Sequence, residues 1–159
     1  MTTDDLFAAG APPYVAYTDG SCSPNPGPGG WACILNGETL SGAEPASTNN
    51  RMELMAAITA LEAVPAGRPI EIRADSSYVI NGATRWLRGW ARNGWRTREG
   101  AVKNVDLWQR LARAQSAHKV KWTWVRGHTG VAGNEQADRA ANAARECLTS
   151  TTAKAVARG

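Results

Sequence analysis

Polar and apolar residues alternate over YVAYTD at 14–19, so Val15, Tyr17 and Asp19 share one face of an expected strand. WACILNGETLSGAE follows. Its Asn36-Gly37 pair, set between two apolar-rich runs, predicts a tight hairpin and so three antiparallel strands at the start. STNNRMELMAAITALEAV carries a helical stripe of Leu54, Ala57, Ile58 and Leu61. Asn49 or Asn50 is expected to cap this helix, and Pro65, Gly67 and Pro69 bound its exit. At about 100° per residue, Glu53 falls on the edge of the stripe. PIEIRAD predicts a fourth strand, and SSYVINGATRWL a helix opened by Ser76 or Ser77. RGWARNGWRTREG is expected to break at Gly89, Gly94 and Gly100. NVDLWQRLARAQ is a helix, KVKWTWV a fifth strand, RGHTGVAGN a glycine-rich loop and EQADRAANAAREC a last helix. The order β-β-β-α-β-α-α-β-α predicts an α/β fold, a mixed sheet with helices packed on it.

Chain length fits one domain, with a core that needs no disulfides. Residues 1–13 and 147–159 hold few bulky side chains and are expected to be flexible tails on a domain spanning 14–146. No apolar run is long enough for a membrane helix, and MTTDDLFAAGAPP lacks the basic start and apolar core of a secretory signal. Cys22, Cys33 and Cys147 show no CxxC spacing, so free thiols in the cytoplasm are expected.

Charge is unevenly placed. Residues 1–84 carry a net −6, and residues 85–126 a net +9 with six of the seven tryptophans. A basic block interleaved with aromatics points to a polyanion, most often nucleic acid; the bland alternative is a solvated basic face over core tryptophans.

Four acids stand at element ends. Asp19 ends the first strand and Asp75 the fourth; Glu53 lies near a helix start, and Asp138 in the first turns of the last helix. Each has a structural reading. Asn50-x-x-Glu53 fits a capping box, Asp138 suits a helix dipole, Asp75 suits a cap and Asp19 a turn. Together they suggest convergence at one end of the sheet, where sites of α/β proteins form. Crowded carboxylates repel and call for cations, and their hard oxygens suit magnesium. Two such ions about 4 Å apart activate a water on one side of a phosphodiester and stabilise the leaving oxygen on the other. No GxSxG occurs to support a serine nucleophile.

The motifs YTDGSCSPNPGPGGW, TNNRMELMAAITAL, DSSYVINGATRWLRGW, KNVDLWQRL and WVRGHTGVAGNEQAD, in this order from Tyr14 to Glu146, resemble those of bacterial-type ribonuclease H. The resemblance implies a ribonuclease H-like fold, with a five-stranded mixed sheet, three antiparallel strands and then parallel ones, and helices on both faces. It implies an endonuclease that hydrolyses the RNA strand of RNA/DNA hybrids, leaving 5′-phosphate and 3′-hydroxyl ends. Asp19, Glu53, Asp75 and Asp138 are then the metal-binding carboxylates, for two Mg2+ ions that Mn2+ can replace. His128 shuttles a proton or helps product leave. His118 has no such context and is expected to be merely exposed.

By the same resemblance, Gly20, Ser21, Cys22 and Asn25 lie in the minor groove of the hybrid, where small residues let the backbone approach the RNA 2′-hydroxyls. Asn49 and Asn50 bond to bases and sugars there. Thr48 and Asn104 grip the DNA strand, one of whose phosphates sits in a small polar pocket. A basic, tryptophan-bearing protrusion at about 85–103 follows that strand with Arg88 and Arg92, and Trp86 meets a deoxyribose. Trp90 and Trp95 divide evenly between such contacts and packing, whereas Trp108, Trp122 and Trp124 are expected in the core. Pro26, Pro28 and Gly29 read as a turn into the second strand. Two departures stand out: Ser77 occupies a position where many bacterial members carry glutamine, and the protrusion is rich in arginine where better-known relatives have lysine. A monomer without membrane contact or obligate protein partner is expected. The alternative function is a non-catalytic hybrid-binding module on the same fold; a DNA-directed transposase, integrase or junction nuclease is a more distant one.

Overall fold

The computed structural model describes residues 12–127 and 130–158, with side chains to residue 148. Strand β1 (Tyr14–Cys22) pairs antiparallel with β2 (Gly27–Leu35), and β2 with β3 (Glu38–Ser47). The β2–β3 connection is the two-residue turn Asn36-Gly37, with both residues at positive φ, 46° and 86°. This is the turn whose twist matches a hairpin. Helix α1 (Asn49–Ala63) leads to β4 (Ile70–Ala74), which lies parallel to β1. Helix α2 (Ser77–Asn81) continues through a π-helical turn, Gly82–Trp86, into α3 (Leu87–Arg92). A short ribbon of β5 (Arg96–Thr97) and β6 (Gly100–Ala101) follows, then α4 (Val105–Ser116). Strand β7 (Val120–Trp124) pairs parallel with β4, and α5 runs from Ala132 to Arg158. The main sheet has the order β3-β2-β1-β4-β7.

Helix α1 packs on β1 and β2, and α5 lies over β1, β2 and β3. Leu54, Ala57, Ile58 and Leu61 are all buried in the core with Ile70, Ile72, Trp108 and Leu111. Bidentate ion pairs brace α4 against α1: Arg51 to Asp106 at 2.9 and 2.8 Å, and Arg110 to Glu62 at 2.9 and 2.7 Å.

Several expectations are corrected. Of the three residues expected in a turn, Pro26 lies between the strands, but Pro28 and Gly29 belong to β2, as does Gly30. Helices press on the sheet there from α1 and α5: a Cβ at Gly29 would sit 2.7 Å from Met52 Cγ, and one at Gly30 would overlap the Ala141 carbonyl oxygen. Gly89 does not break the chain but lies within α3; the break comes at Gly94, with φ 67°. The last helix starts earlier than expected, and its backbone continues through residues 147–158. That stretch contains no Pro or Gly before Gly159 and has alanines, the best helix formers, to carry it. The expected N-terminal tail lies almost wholly outside the described residues. Trp108 is fully buried and Trp122 half-buried, but Trp124 is 54% exposed at the end of β7. His118 is half-buried, its Nδ1 2.9 Å from the Arg68 carbonyl oxygen and its Nε2 2.8 Å from that of Leu61.

Candidate active site

The parallel register pairs Thr18 with Ala74, so the next residues stand side by side: Asp75 just past the end of β4, and Asp19 within β1, which runs on to Cys22 beyond the strand end expected at Asp19. Helix α1 delivers Glu53 to the same place, because Gly20 has no side chain to hold it off. Oxygens of Asp19, Glu53 and Asp75 lie within 4.8 Å of one another. Asp138, on the second turn of α5, lies near enough to act on the Asp19 carboxyl but is not among the three acids gathered within 4.8 Å. Gly127 closes the outer side, where a Cβ would sit 2.9 Å from Asp75 Oδ2. His128 follows it in the chain and lies outside the described residues.

Local structure decides against the bland readings of these acids. The α1 cap is Thr48, whose Oγ1 accepts from the Arg51 amide at 3.2 Å, and neither Asn49 nor Asn50. Glu53 is therefore past the capping-box position. Ser76, not Asp75, caps α2, accepting from the Val79 amide at 3.2 Å. Asp138 is the seventh residue of α5, beyond the first turn where the helix dipole is felt. Asp19 accepts from the Gly20 amide at 2.9 Å, its one local role.

Asp19 and Glu53 are 4% and 6% exposed. Burial first, and then the charge of Asp75, push the Asp19 carboxyl up to about 7. Burial and the charge of Asp19 hold Glu53 well above the carboxylate range. Among the described residues, Glu53 Oε2 is a buried oxygen with no hydrogen-bond partner. A crowded, all-oxygen donor set with an orphaned buried acceptor fits a hard divalent cation.

Of the residues expected to touch substrate, Gly20, Ser21 and Cys22 end β1 just past Asp19, and the rest form two groups. Asn25, Thr48, Asn49, Asn50 and Asn104, joined by Lys103, line one polar pocket of about 520 Å³. Asn25 Oδ1 accepts from the Asn49 amide at 3.1 Å and ties the two sides together. Cys22 Sγ lies 3.3 to 3.5 Å from the carbonyl oxygens of Pro24, Gly27 and Ser47, which tightens the same loop. Asn104 has φ 57° and donates from Nδ2 to Tyr78 Oη at 3.1 Å. In the second group, Trp86 is 43% exposed and Arg88 and Arg92 are exposed on α3. Trp86 leans on Trp90 with centroids 5.9 Å apart, and Trp90 packs edge-on against Trp108 at 5.2 Å. An aromatic chain thus anchors the basic helix to the core, and Trp90 serves as packing.

The family model for RNase H matches residues 12–146. The chain is 56% identical over 143 residues to a ribonuclease H of Methylorubrum extorquens (strain PA1), covering 87% of this chain and 63% of that protein. It is 55% identical over 142 residues to one of Jannaschia sp. (strain CCS1), covering 83% of this chain and 90% of that one. The chain belongs to the ribonuclease H family. Members are hydrolases that cut the RNA strand of RNA/DNA hybrids and depend on divalent metal, and the acid cluster agrees with that dependence. A solved structure of LC9-RNase H1, a type 1 RNase H with the type 2 active-site motif, superposes with a TM-score of 0.74 at 34% identity, over 87% of this chain and 75% of that one.

Two residues at this candidate site were not expected from the sequence. Lys103 lines the polar pocket beside Asn104; its being the lone lysine of the protrusion was the available signal. Arg51 directs a guanidinium nitrogen to Asn104 Oδ1 at 3.4 Å while paired with Asp106, a contact spanning 53 residues with no local signal. Ser77, at the position of the family's frequent glutamine, is exposed.

Proposed function

We propose that residues 14–146 form a ribonuclease H domain that hydrolyses the RNA strand of RNA/DNA hybrids at the acid cluster. The convergence of Asp19, Glu53 and Asp75 within 4.8 Å carries this reading. Asp19, Glu53, Asp75 and Asp138 are the residues to hold two Mg2+ ions, which Mn2+ can replace. When bound, the ions supply an activated water and charge neutralisation at the scissile phosphate. Asp19 and Glu53 reach this role because a bound cation offsets the burial, and then the mutual repulsion, that otherwise favour their protonated forms. His128, next in sequence to the Gly127 that backs Asp75, is assigned to proton transfer or product release.

Gly20, Ser21 and Cys22, on β1 beside Asp19, take the RNA strand, and Asn25, Asn49 and Asn50 extend that contact. Thr48 and Asn104 hold a DNA phosphate in the polar pocket, with Lys103 adding a point charge. Trp86, Arg88 and Arg92 follow the DNA backbone. A non-catalytic hybrid-binding module would keep two buried, mutually repelling acids for no gain, which argues against that alternative. Three free thiols suit a reducing compartment, and the reading is of a cytoplasmic monomer. Among the described residues, no helix is long and apolar enough to cross a membrane.

Asp19→Asn tests the assignment. It is expected to abolish cleavage while leaving hybrid binding intact; full cleavage by this variant would remove Asp19 from the chemistry.

A further inference from the structure

Asn142 lies one helical turn beyond Asp138 on α5, half-buried, with its amide set among three polar side chains. Ser21 Oγ donates to Asn142 Oδ1 at 2.5 Å, and an Arg145 guanidinium nitrogen donates to the same oxygen at 3.4 Å. On the other side of the amide, Nδ2 donates to Asp138 Oδ1 at 3.5 Å. The surroundings fix which way the amide points. A flip would set its NH2 group against the guanidinium and its oxygen against a carboxylate.

We propose that Asn142 is a positioning residue that ties Asp138 to Ser21 and so holds the outermost acid in register with the strand that bears Asp19. The inference rests on reading Asp138 as a metal ligand. Three observations give it force. First, α5 sits close on β2, because a Cβ at Gly30 would overlap the Ala141 carbonyl oxygen, so the backbone around Asn142 has a fixed distance to the sheet. Second, Ser21 is on β1, two residues from Asp19, so the bond bridges the two elements that must stay aligned. Third, the donor that meets Asp138 is neutral. A cationic donor at this place would compete with a divalent ion for the carboxylate; an amide orients the carboxylate and leaves its charge available. The positive charge of Arg145 reaches the amide oxygen on the side away from Asp138.

The test is Asn142→Leu in the full chain, with Asn142→Ser as a second variant should the leucine disturb folding, and Asp138→Asn as a control. Three quantities are measured: Mn2+ affinity of the free protein, from the electron paramagnetic resonance signal of unbound Mn2+; the Mg2+ concentration for half-maximal cleavage at saturating hybrid; and metal-free Tm. Loss of a bond that orients a metal ligand is expected to weaken Mn2+ binding about 10-fold and raise the half-saturating Mg2+ by a like factor. The KM for hybrid at saturating Mg2+ should stay within about twofold of the parent. A purely structural role would lower Tm and leave both metal readouts unmoved, which would overturn the proposal. If Asp138→Asn weakens Mn2+ binding and neither Asn142 variant does, the positioning role fails alone. If Asp138→Asn also leaves Mn2+ affinity unchanged, the reading of Asp138 as a ligand fails, and the proposal with it.

Discussion

Gly20 and Glu53 approach so closely that a Cβ at position 20 would overlap the Glu53 backbone nitrogen and lie 2.6 Å from the Met52 carbonyl carbon. The helix that carries one acid therefore rests on the strand that carries another through a single missing side chain. Gly20→Ala must push α1 away from β1 and widen the gap between Glu53 and Asp19. A displacement near 1 Å at a reacting centre costs about 100-fold in rate. The expected result is a drop in kcat of that order in steady-state cleavage, with a lower Tm from overpacking.

The buried acids set a pH dependence. Asp19 keeps its proton to about pH 7 in the native state, against an ordinary value of 3.8. Between these values the native state binds more protons than the unfolded one, so stability falls as pH rises from about 4 to 7. Glu53 acts in the same sense. Metal-free protein in EDTA should melt at a lower temperature at pH 8 than at pH 5, and divalent cation should restore Tm at pH 8. Asp19→Asn should flatten the profile and stabilise the metal-free protein at pH 8 by on the order of 2 kcal/mol. Thermal melts of both proteins at the two pH values check this.

Tyr78 Oη accepts from both Asn104 Nδ2, at 3.1 Å, and the Trp108 indole N–H, at 2.9 Å. Tyr78→Phe leaves the buried indole unsatisfied, at a cost of about 1–3 kcal/mol in stability. It also frees the Asn104 amide from its position in the polar pocket. The expected outcome is a lower denaturation midpoint, together with a raised KM for hybrid and little change in kcat.

Arg88 and Arg92 are exposed on α3 and outside the acid cluster. Reversing both charges should raise KM more than it lowers kcat. Hybrid binding by the parent protein should weaken steeply with salt, as ions condensed on phosphate are released. Binding titrations from low to physiological salt read this directly, and a flat response would mean that the basic block is not the docking surface.

The hydrophobic pattern made most of the fold legible. The stripe on α1, the Asn36-Gly37 turn and the fourth strand ending at Asp75 all carry local signals, and the structure keeps them; the first strand instead runs past Asp19 to Cys22, where small residues pair with the glycines of β2. What escaped depended on distant contacts. The glycine–proline run reads as a turn until α1 and α5 are seen pressing on Gly29 and Gly30. Trp124 reads as core by alternation, yet β7 is the edge of the sheet, and its indole N–H meets the Asp75 carbonyl oxygen at 3.3 Å while the ring stays exposed. His118 shows no motif, because its partners are main-chain carbonyls 50 and 57 residues away. The four acids were visible as element ends; the polar pocket was visible only through the family resemblance, since its lining comes from three separate segments.

Cleavage of a hybrid labelled on its RNA strand decides whether the acid cluster is a hybrid-cutting centre. Duplex RNA and duplex DNA of the same sequence serve as controls, each with Mg2+ and with EDTA. The expected result is cleavage of the hybrid RNA alone, lost in EDTA. Hybrid that is bound but left uncut in Mg2+ would contradict it.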